Sequence, residues 1–286
     1  MNVVNRITAM PDACCATATP SPAKHRCRKN TRVTNTKRNC CYGLTALALL
    51  ACAPVARAVA QDIPRRTTYG LEVAFRSGHA DRGFIINDRP VVQPVLWFAG
   101  NSTEFSAWSS FPLDQTTDGA RPQIVELELT HEQTWGKLTV GPAVRMYFYH
   151  DALNAERDRS LEGWLNLSYD VGPFRLFTRH SLDVLTYKGA YFVDAGIESE
   201  HRISPRSELG GSLGAGWASA RFNDAYAGIE KRALDRVRAA TWLTVYRKRF
   251  YVGPHLEFST IVDPTVRAAT TRPTYLLVML AMGGEF

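Results

Sequence analysis

The chain has 286 residues, with 34 basic side chains, 27 acidic side chains and a formal net charge of +7. Nine of the bases and one acid lie in residues 1–60, so residues 61–286 carry 25 bases and 26 acids, a net charge of −1. The basic balance therefore does not describe the main part of the chain, and we expect no nucleic-acid partner. All six cysteines lie in the first 52 residues, which excludes disulfides, thiolate metal sites and cysteine nucleophiles from residues 61–286.

The first 60 residues have the pattern of an export leader. A short apolar run, Tyr42–Val55, follows the basic stretch Lys37–Asn39 and precedes the small residues Ala58–Ala60. The run is too short for a stable transmembrane helix, which needs about 20 residues. A basic flank, an apolar core and an A-x-A site predict a secretory signal peptide cleaved after Ala60. We therefore divide the chain into a leader at 1–60 and a domain at 61–286.

Two alternatives concern this leader. The run Leu49–Cys52 resembles a lipobox, which would make Cys52 a lipidated N-terminus instead of cleavage after Ala60. Residues 1–32 look like neither signal nor domain, and one hypothesis is that translation starts near Val33. N-terminal sequencing of a precursor trapped by blocking cleavage tests that hypothesis, and a precursor that begins at Met1 would contradict it.

Residues 61–286 repeatedly alternate between apolar and polar side chains. In Leu138–Phe148 the apolar row includes Val140, Val144 and Met146, and the opposite row carries Arg145. A period of two is that of a β-strand, and lengths near 9 to 11 residues suit tilted strands that cross a membrane. We predict twelve strands, at 69–77, 90–99, 103–112, 123–132, 136–148, 160–171, 174–184, 190–201, 207–218, 235–247, 250–262 and 274–286.

The connections between these runs differ in length in a regular way. Gaps after the odd-numbered runs are long and polar, except for the short one at Tyr187–Gly189, whereas those after the even-numbered runs are tight. The tight turns are predicted at Asn101–Ser102, Thr134–Trp135, Gly172–Pro173, Pro205–Arg206 and Lys248–Arg249. Long outer loops and short periplasmic turns are typical of outer-membrane barrels. The pattern predicts an all-β fold, a transmembrane antiparallel up-and-down barrel of about twelve strands.

The last run points to the same class of protein. From Phe286 back to Leu276, every second residue is apolar or glycine. This pattern resembles the C-terminal signal by which outer-membrane barrels are recognised, so we expect the barrel-assembly machinery to bind through Phe286. Aromatic residues near the ends of runs predict interfacial girdles in contact with outer-membrane lipid. They are Tyr69, Phe98, Phe111, Phe148, Phe174, Phe250 and Phe286.

Charged residues in the polar rows are candidates for lining the lumen, because a charge cannot face acyl chains cheaply. They are Glu126, Glu128, Arg145, Glu162, Arg175, Arg179, Asp194, Glu198, Arg238 and Glu257. Opposite charges in a narrow lumen could line a small aqueous pore, or they could pair with one another and close it. The sequence leaves both arrangements open.

Catalytic and cofactor patterns are weak. A hydrolase dyad on a strand needs His and Ser at i and i+2, but His180 and Ser181 are adjacent and face opposite sides. His150 and Asp151 lie in a predicted outer loop with Glu156 and Asp158, and such a cluster is most often solvated. The remaining histidines lack metal-ligand spacing. We expect no enzyme activity, no cofactor and no metal site.

Two stretches resemble known families. Asp81–Phe84 with Pro90–Pro94, and Gly214–Ala218 with Asn223–Ile229, are similar to segments of the TorF-like porins of proteobacteria. More loosely, they resemble the MipA/OmpV-type outer-membrane barrels. The similarity at the level of individual residues covers about thirty positions. The resemblance implies an exported outer-membrane barrel of a Gram-negative bacterium and a porin-like role, and it transfers no binding site.

The sequence thus predicts a narrow outer-membrane channel or binder for small polar solutes. The alternative is a non-conducting structural barrel that docks a periplasmic or surface partner. A lipid-modifying outer-membrane enzyme is a third reading.

Overall fold

The computed structural model describes residues 67–113, 123–150 and 159–286. The predictions for the leader, including cleavage after Ala60 and lipidation of Cys52, lie outside these residues and stay predictions. The same holds for the division of the chain at residue 60.

The described residues form fifteen β-strands and two short α-helices. In chain order they are β1 (Thr68–Arg76), β2 (His79–Asp81), β3 (Phe84–Asn87), β4 (Val91–Gly100), β5 (Thr103–Pro112), β6 (Ile124–His131), β7 (Gln133–Trp135), β8 (Leu138–Tyr149), β9 (Arg159–Val171), β10 (Phe174–Asp183), β11 (Tyr191–Ser204), β12 (Ser207–Ala218), α1 (Ala220–Ala227), β13 (Ala233–Arg247), β14 (Phe250–Ile261), α2 (Pro264–Ala269) and β15 (Thr274–Glu285).

Twelve of these strands close into an antiparallel barrel. Consecutive members of these twelve strands pair with one another, including β1 with β4 and β6 with β8. The barrel closes where β1 pairs with β15, from Gly70 opposite Glu285 to Arg76 opposite Met279. The short strand β7 continues β6 along β8, whereas β2 and β3 form a separate hairpin. The predicted fold class is therefore confirmed, and each predicted run corresponds to one barrel strand.

Side chains on each strand alternate between the interior and the outer surface, as β15 illustrates. Leu276 is 62% exposed and Val278, Leu280 and Met282 are also exposed, whereas the intervening side chains, such as that of Leu277, are buried. The exposed row is apolar because it belongs to the outside of the barrel. An apolar outside and a polar inside are the reverse of a soluble barrel and suit lipid around the protein.

The two ends of the barrel differ. At one end, which we call the short-turn end, strands are joined by tight turns such as Asn101–Ser102, both of whose residues have positive φ. One predicted turn is wrong: Thr134 and Trp135 belong to β7, and the chain turns at Gly136 and Lys137. Gly136 takes φ 61°, a conformation that glycine adopts without steric cost. The longer connections lie at the other end, the long-loop end.

Two helices occupy connections that the sequence predicted as loops. Helix α1 begins at the N-cap Ser219, whose side chain accepts a hydrogen bond from the Phe222 amide, and ends at Gly228 with φ 67°. Helix α2 begins at Asp263, whose carboxylate accepts hydrogen bonds from two backbone amides of the first turn. These are the capping interactions that end residues of helices require. No helix among the described residues is long and apolar enough to cross a membrane.

Aromatic rings gather at the short-turn end beside the closure of the barrel. Tyr69 lies 6.4 Å from Phe98 and 5.8 Å from Phe286, and Phe286 lies 5.9 Å from Phe250, measured between ring centroids. The backbones of Tyr69 and Phe286 exchange two hydrogen bonds of 3.1 and 2.9 Å. The last residue is thus part of the seam between β1 and β15.

Candidate functional site

All ten predicted lumen residues lie on the interior rows of their strands. They are Glu126 and Glu128 on β6, Arg145 on β8, Glu162 on β9, Arg175 and Arg179 on β10, Asp194 and Glu198 on β11, Arg238 on β13 and Glu257 on β14. Whether they line a solute path stays a prediction.

The acids of β6 meet an arginine of the neighbouring strand. The Nε of Arg145 lies 2.7 Å from Glu128 and 3.7 Å from Glu126, and its guanidinium lies 3.8 Å from the ring centroid of Trp164. The Trp164 indole nitrogen donates a 2.8 Å hydrogen bond to Glu162. Four of these five residues are almost fully buried, and Glu128 is only slightly exposed, so charge, ring and carboxylates form one connected group on the wall of β6, β8 and β9.

A second group lies nearer the short-turn end and is more open. Arg175 lies 3.0 Å from Asp170 and 3.6 Å from Glu198, and Arg179 lies 3.6 Å from the same Glu198. The side chains of Arg175 and Arg179 are 30% and 26% exposed. These pairs join adjacent strands, so they run along the wall.

The remaining predicted residues are paired in the same way. Arg238 lies 3.0 Å from Asp194, which also lies 3.6 Å from Arg236, and Glu257 lies 3.6 Å from Arg76. Asp194 therefore has two cationic neighbours.

The structure contains an element that the sequence analysis missed, a hairpin folded into the lumen. Strands β2 and β3 were predicted as an outer loop, yet every residue from His79 to Phe84 is buried. The hairpin turns at Arg82 and Gly83, which have φ 46° and 101°. Two consecutive positive φ values are those of a tight type I′ turn. We call residues 79–87 the inserted hairpin.

The tip of the inserted hairpin is anchored by charge. The Arg82 guanidinium lies 2.6 Å from Glu162 and 5.0 Å from the ring centroid of Trp164, and Asp81 accepts a hydrogen bond from the Tyr226 hydroxyl. Burial opposes the charged form of Arg82, but the carboxylates of Glu162 and Asp81 outweigh it and raise the pKa of this side chain. Arg82 is therefore a permanent cation in this site.

The inserted hairpin also packs against most of the wall. Phe84 belongs to an apolar cluster with residues of β11, β12, β13 and β14, and Ile86 packs on a cluster formed by β5, β6 and β8. Ala80 packs with residues of β15, and His79 lies 5.5 Å from the ring centroid of Trp108 on β5. Because these contacts reach opposite sides of the barrel, the hairpin crosses the lumen at this level.

Helix α1 covers the hairpin. The Phe222 ring lies 5.1 Å from Phe192 and 4.2 Å from Tyr226, whose ring is 5.1 Å from Phe84. The Asn223 amide donates a 3.0 Å hydrogen bond to Asp235 on β13. Hairpin and helix together make an apolar layer inside the barrel at its long-loop end.

A sequence signal for the inserted hairpin does exist. The pair Arg82-Gly83, followed by Phe84, Ile85 and Ile86, places apolar residues directly after a glycine turn, and a polar outer loop does not need them. That the hairpin folds inward could not be read from this signal, because it depends on the shape of the closed barrel.

Three similar rows of side chains line the short-turn half of the lumen. In each, an aromatic ring lies across a glycine of the next strand, and a glutamate follows on the strand beyond. The three rows are Trp97, Gly70 and Glu285; Tyr251, Gly283 and Glu72; and Trp242, Gly210 and Glu200. We call them the aromatic–glycine–glutamate rows.

Glycine is required in these rows because there is no space for a side chain. A Cβ atom on Gly70, Gly283 or Gly210 would come within 2.0 to 2.4 Å of the neighbouring aromatic side chain. The Tyr251 hydroxyl donates to Glu72 at 2.5 Å and the Trp242 indole nitrogen to Glu200 at 3.3 Å. The glycines thus leave room for aromatic rings against the wall.

The structure brings no nucleophile and base together at the positions considered for catalysis. His180 is on the outer row of β10, where Nδ1 lies 2.7 Å from the Tyr191 hydroxyl, whereas Ser181 is buried on the interior row. Asp151, Glu156 and Asp158 lie outside the described residues. Within the described ranges, no group of three or more His, Asp or Glu side chains is arranged to hold a metal ion.

The fold and the lumen define a class of protein: a closed twelve-stranded barrel with an apolar outside and a charged interior. No family model matches the chain, and no curated protein matches it. The predicted kinship with the TorF-like and MipA/OmpV-type families therefore stays a prediction.

Solved structures with some likeness include an outer-membrane channel from Pseudomonas putida F1. It is 13% identical, with a TM-score of 0.47, over 78% of this chain and 97% of that one. The KdgM porin is 9% identical, with a TM-score of 0.43, over 77% and 98%. The NanC porin is 14% identical, with a TM-score of 0.44, over 76% and 98%. At such identities none of them indicates what this chain binds or transports.

Proposed function

We propose that the protein is a porin-like outer-membrane barrel for small polar solutes, and that the inserted hairpin gates its lumen. The observation that carries the proposal is the hairpin itself. It is a loop segment joined to the wall only through its two ends, and it crosses a lumen whose wall is charged both beside and below it. The long-loop end is then the outer face, and the short-turn end faces the periplasm.

The outer surface supports the location. Its strands expose rows of leucine, valine and phenylalanine, and such a surface in water would drive aggregation. A membrane removes this cost, and a closed barrel leaves no backbone group unpaired in lipid. An exported barrel with these features belongs in the outer membrane of a Gram-negative cell.

The C-terminal strand supports assembly by the barrel-assembly machinery. The Phe286 ring is at the outer surface and part of the seam that closes the barrel. We expect deletion of Phe286 to reduce the amount of heat-modifiable, membrane-inserted protein. Substitution of the exposed outer-loop residue Glu230 by Gln serves as control. Unchanged insertion without Phe286 would contradict the role.

Conductance in planar bilayers tests the gating. The variant to compare with the wild type lacks residues 79–87. Arg76 and Val91 are register partners on β1 and β4, so the five residues that remain between them are enough for a hairpin connection. We expect rare or brief openings in the wild type and steady conductance in the deletion variant.

A matched pair of variants separates gating from damage to the barrel. Arg82→Ala leaves the buried Glu162 without its cation, which is costly, so we expect the hairpin to leave the lumen more often. Arg82→Met with Glu162→Gln removes both charges and keeps the volume, so we expect a closed lumen. Absence of conductance in the deletion variant, at wild-type insertion, would refute the pore.

The apolar packing of the hairpin favours the second candidate, a non-conducting structural or interaction barrel. Phe84 and Phe222 are buried in one cluster with Ile261, and such packing can hold the lumen permanently closed. Hydrogen exchange of the hairpin amides decides between the two. Protection equal to that of the barrel strands, together with a silent deletion variant, would leave the structural barrel as the function, and crosslinking would then seek its partner.

A further inference from the structure

Acids outnumber bases on the wall of the lumen. The interior rows carry the carboxylates of Glu72, Glu104, Glu126, Glu128, Glu162, Asp170, Asp183, Asp194, Glu198, Glu200, Glu208, Glu257 and Glu285. The same rows carry the guanidinium groups of Arg76, Arg145, Arg175, Arg179, Arg202, Arg236 and Arg238. The inserted hairpin adds Asp81 and Arg82, which cancel. A domain that is almost neutral as a whole therefore has a strongly negative interior.

Part of this excess of acids is located in the aromatic–glycine–glutamate rows. Within the described residues, no Lys or Arg nitrogen lies within 4.0 Å of Glu72, Glu200 or Glu285. Glu72 and Glu200 accept hydrogen bonds from Tyr251 and Trp242, which are neutral donors. Three carboxylates of the short-turn half thus lack a protein cation at contact distance.

A fourth carboxylate is under-satisfied in the middle of the lumen. Glu126 is 1% exposed, and neither of its oxygens accepts a hydrogen bond from the described residues. Its nearest cation, Arg145, is at 3.7 Å and closer to Glu128. A buried carboxylate in this situation attracts either a proton or a mobile cation.

The aromatic rings favour a cation at the same places. Trp97, Trp242 and Tyr251 lie against the glycines of the wall, in the same rows as the glutamates. The face of an aromatic ring attracts cations, and carboxylates that line a pore favour cations over anions. The carboxylates and the aromatic rings of these rows therefore both favour cations.

We infer that the lumen selects small cationic solutes over anionic ones, and that Glu72, Glu200 and Glu285 set this preference at the periplasmic entrance. The inference rests on the proposed function, because it names the solute class of the same lumen. It is also a statement about the electrostatic potential of the wall, which can be measured without any current.

The first test is the reversal potential of the variant that lacks residues 79–87, in a KCl gradient. The deletion removes one acid and one arginine from the tip of the hairpin, so it leaves the charge balance of the wall unchanged. We expect potassium to be favoured over chloride by at least about fivefold. The triple variant Glu72→Gln, Glu200→Gln, Glu285→Gln should lose most of this preference, and Glu230→Gln, in an outer loop, should keep it. Chloride preference, or a preference that the triple variant leaves unchanged, would overturn the inference.

The second test needs no conductance and uses the absence of cysteine from residues 61–286. Ser106 is a lumen residue in register with Trp97, in the row that ends at Glu285. Ser106→Cys, in the full-length wild-type barrel, is treated with a trimethylammonium and a sulfonate methanethiosulfonate of similar size. The reaction rate of each reagent with the protein is divided by its rate with a small free thiol in solution. Thr134→Cys, on the exposed strand β7 at the short-turn end, is the control at the rim of the barrel.

We expect the cationic reagent to react faster than the anionic one with the thiol of Ser106→Cys, by about fivefold or more, and Glu285→Gln to reduce the ratio. Equal rates of the two reagents in both thiol variants would show a lumen of protonated or compensated carboxylates and would refute cation selection. A silent deletion variant with a high ratio at position 106 would instead refute the pore and leave the potential established. The two failures are therefore distinguishable.

Discussion

The two halves of the lumen are held together by different forces. In the long-loop half, the inserted hairpin and α1 bury Phe84 and Phe222 against the wall, and one ion pair, Arg82 with Glu162, anchors the hairpin tip. In the short-turn half, aromatic rings lie on glycines, and Arg175 and Arg179 remain partly exposed. The long-loop half resembles the core of a soluble protein, whereas the short-turn half resembles the lining of a water-filled tube.

This difference implies that closure of the lumen and stability of the barrel depend on different residues. The apolar layer is built from loop segments that the barrel does not need for its hydrogen-bonded wall, so changes there should release the hairpin and leave the strands intact. The aromatic–glycine–glutamate rows are part of the wall itself, so changes there should weaken the barrel. Substitutions in the apolar layer, in the wall and in the outer loops test that division.

The largest effect is expected from Phe222→Ala. Phe222 is fully buried, and removal of a buried phenylalanine side chain costs about 3 to 5 kcal/mol. We expect hydrogen exchange of the hairpin amides to become faster by a large factor while the amides of β12 and β13 keep their protection. Asp224→Ala, at an exposed position of the same helix, is the control. Equal loss of protection in hairpin and strands would show that closure and barrel stability are one property.

A smaller effect is expected from Gly210→Val in the wall. The new Cβ would lie 2.1 Å from a ring atom of Trp242, so the ring must move and lose its hydrogen bond to Glu200, at a cost of about 1 to 3 kcal/mol. The urea midpoint of the heat-modifiable form measures this loss. Gly163→Val is the matched control, since a Cβ there meets nothing within 4 Å.

A double variant sharpens the prediction for the wall. If the clash with Trp242 is the cause, the double variant Gly210→Val, Trp242→Ala should lose less free energy of unfolding than the two single variants lose in sum. Additive costs would mean that Gly210 is needed for another reason, and the account of the rows would then be wrong.

The sequence predicted the wall of the barrel better than its contents. Alternation located all twelve strands because a one-residue slip would expose every charge of a strand to lipid. It also placed Arg145 and Glu128 on interior rows, but their 2.7 Å contact depends on the register of β6 against β8. A period of two carries no information on register, so residues that share a face could be predicted and their partners could not.

The contents of the lumen escaped prediction for a different reason. The inserted hairpin has short strands of three and four residues, and α1 has eight residues, which are too few for a periodic signal. Arg82 looked like an ordinary loop cation. Its burial depends on Glu162, which is 80 positions away in the chain, and only the closed barrel brings the two together.

The smallest predicted effect concerns the outer loops. Lys231 donates hydrogen bonds of 2.9 and 2.7 Å to Asp263. The hydrogen bonds from Lys231 are the main cause that holds the pKa of Asp263 below its ordinary value. Burial opposes this shift, and the amides of Val266 and Thr265 add to it. A depressed folded pKa means that the stabilisation is complete at neutral pH and declines as the pH falls below about 4.

The measurement is the protection factor of the Val266 amide, corrected for intrinsic exchange rates, in the wild type and in Asp263→Asn. Asn keeps an acceptor for the helix cap and removes the charge. We expect a difference of less than about 1 kcal/mol at neutral pH, because surface ion pairs contribute little, and a smaller difference below pH of about 4. A difference that grows on acidification would mean that Asp263 is stabilised in its protonated form, and the ion pair with Lys231 would then not hold α2 in place.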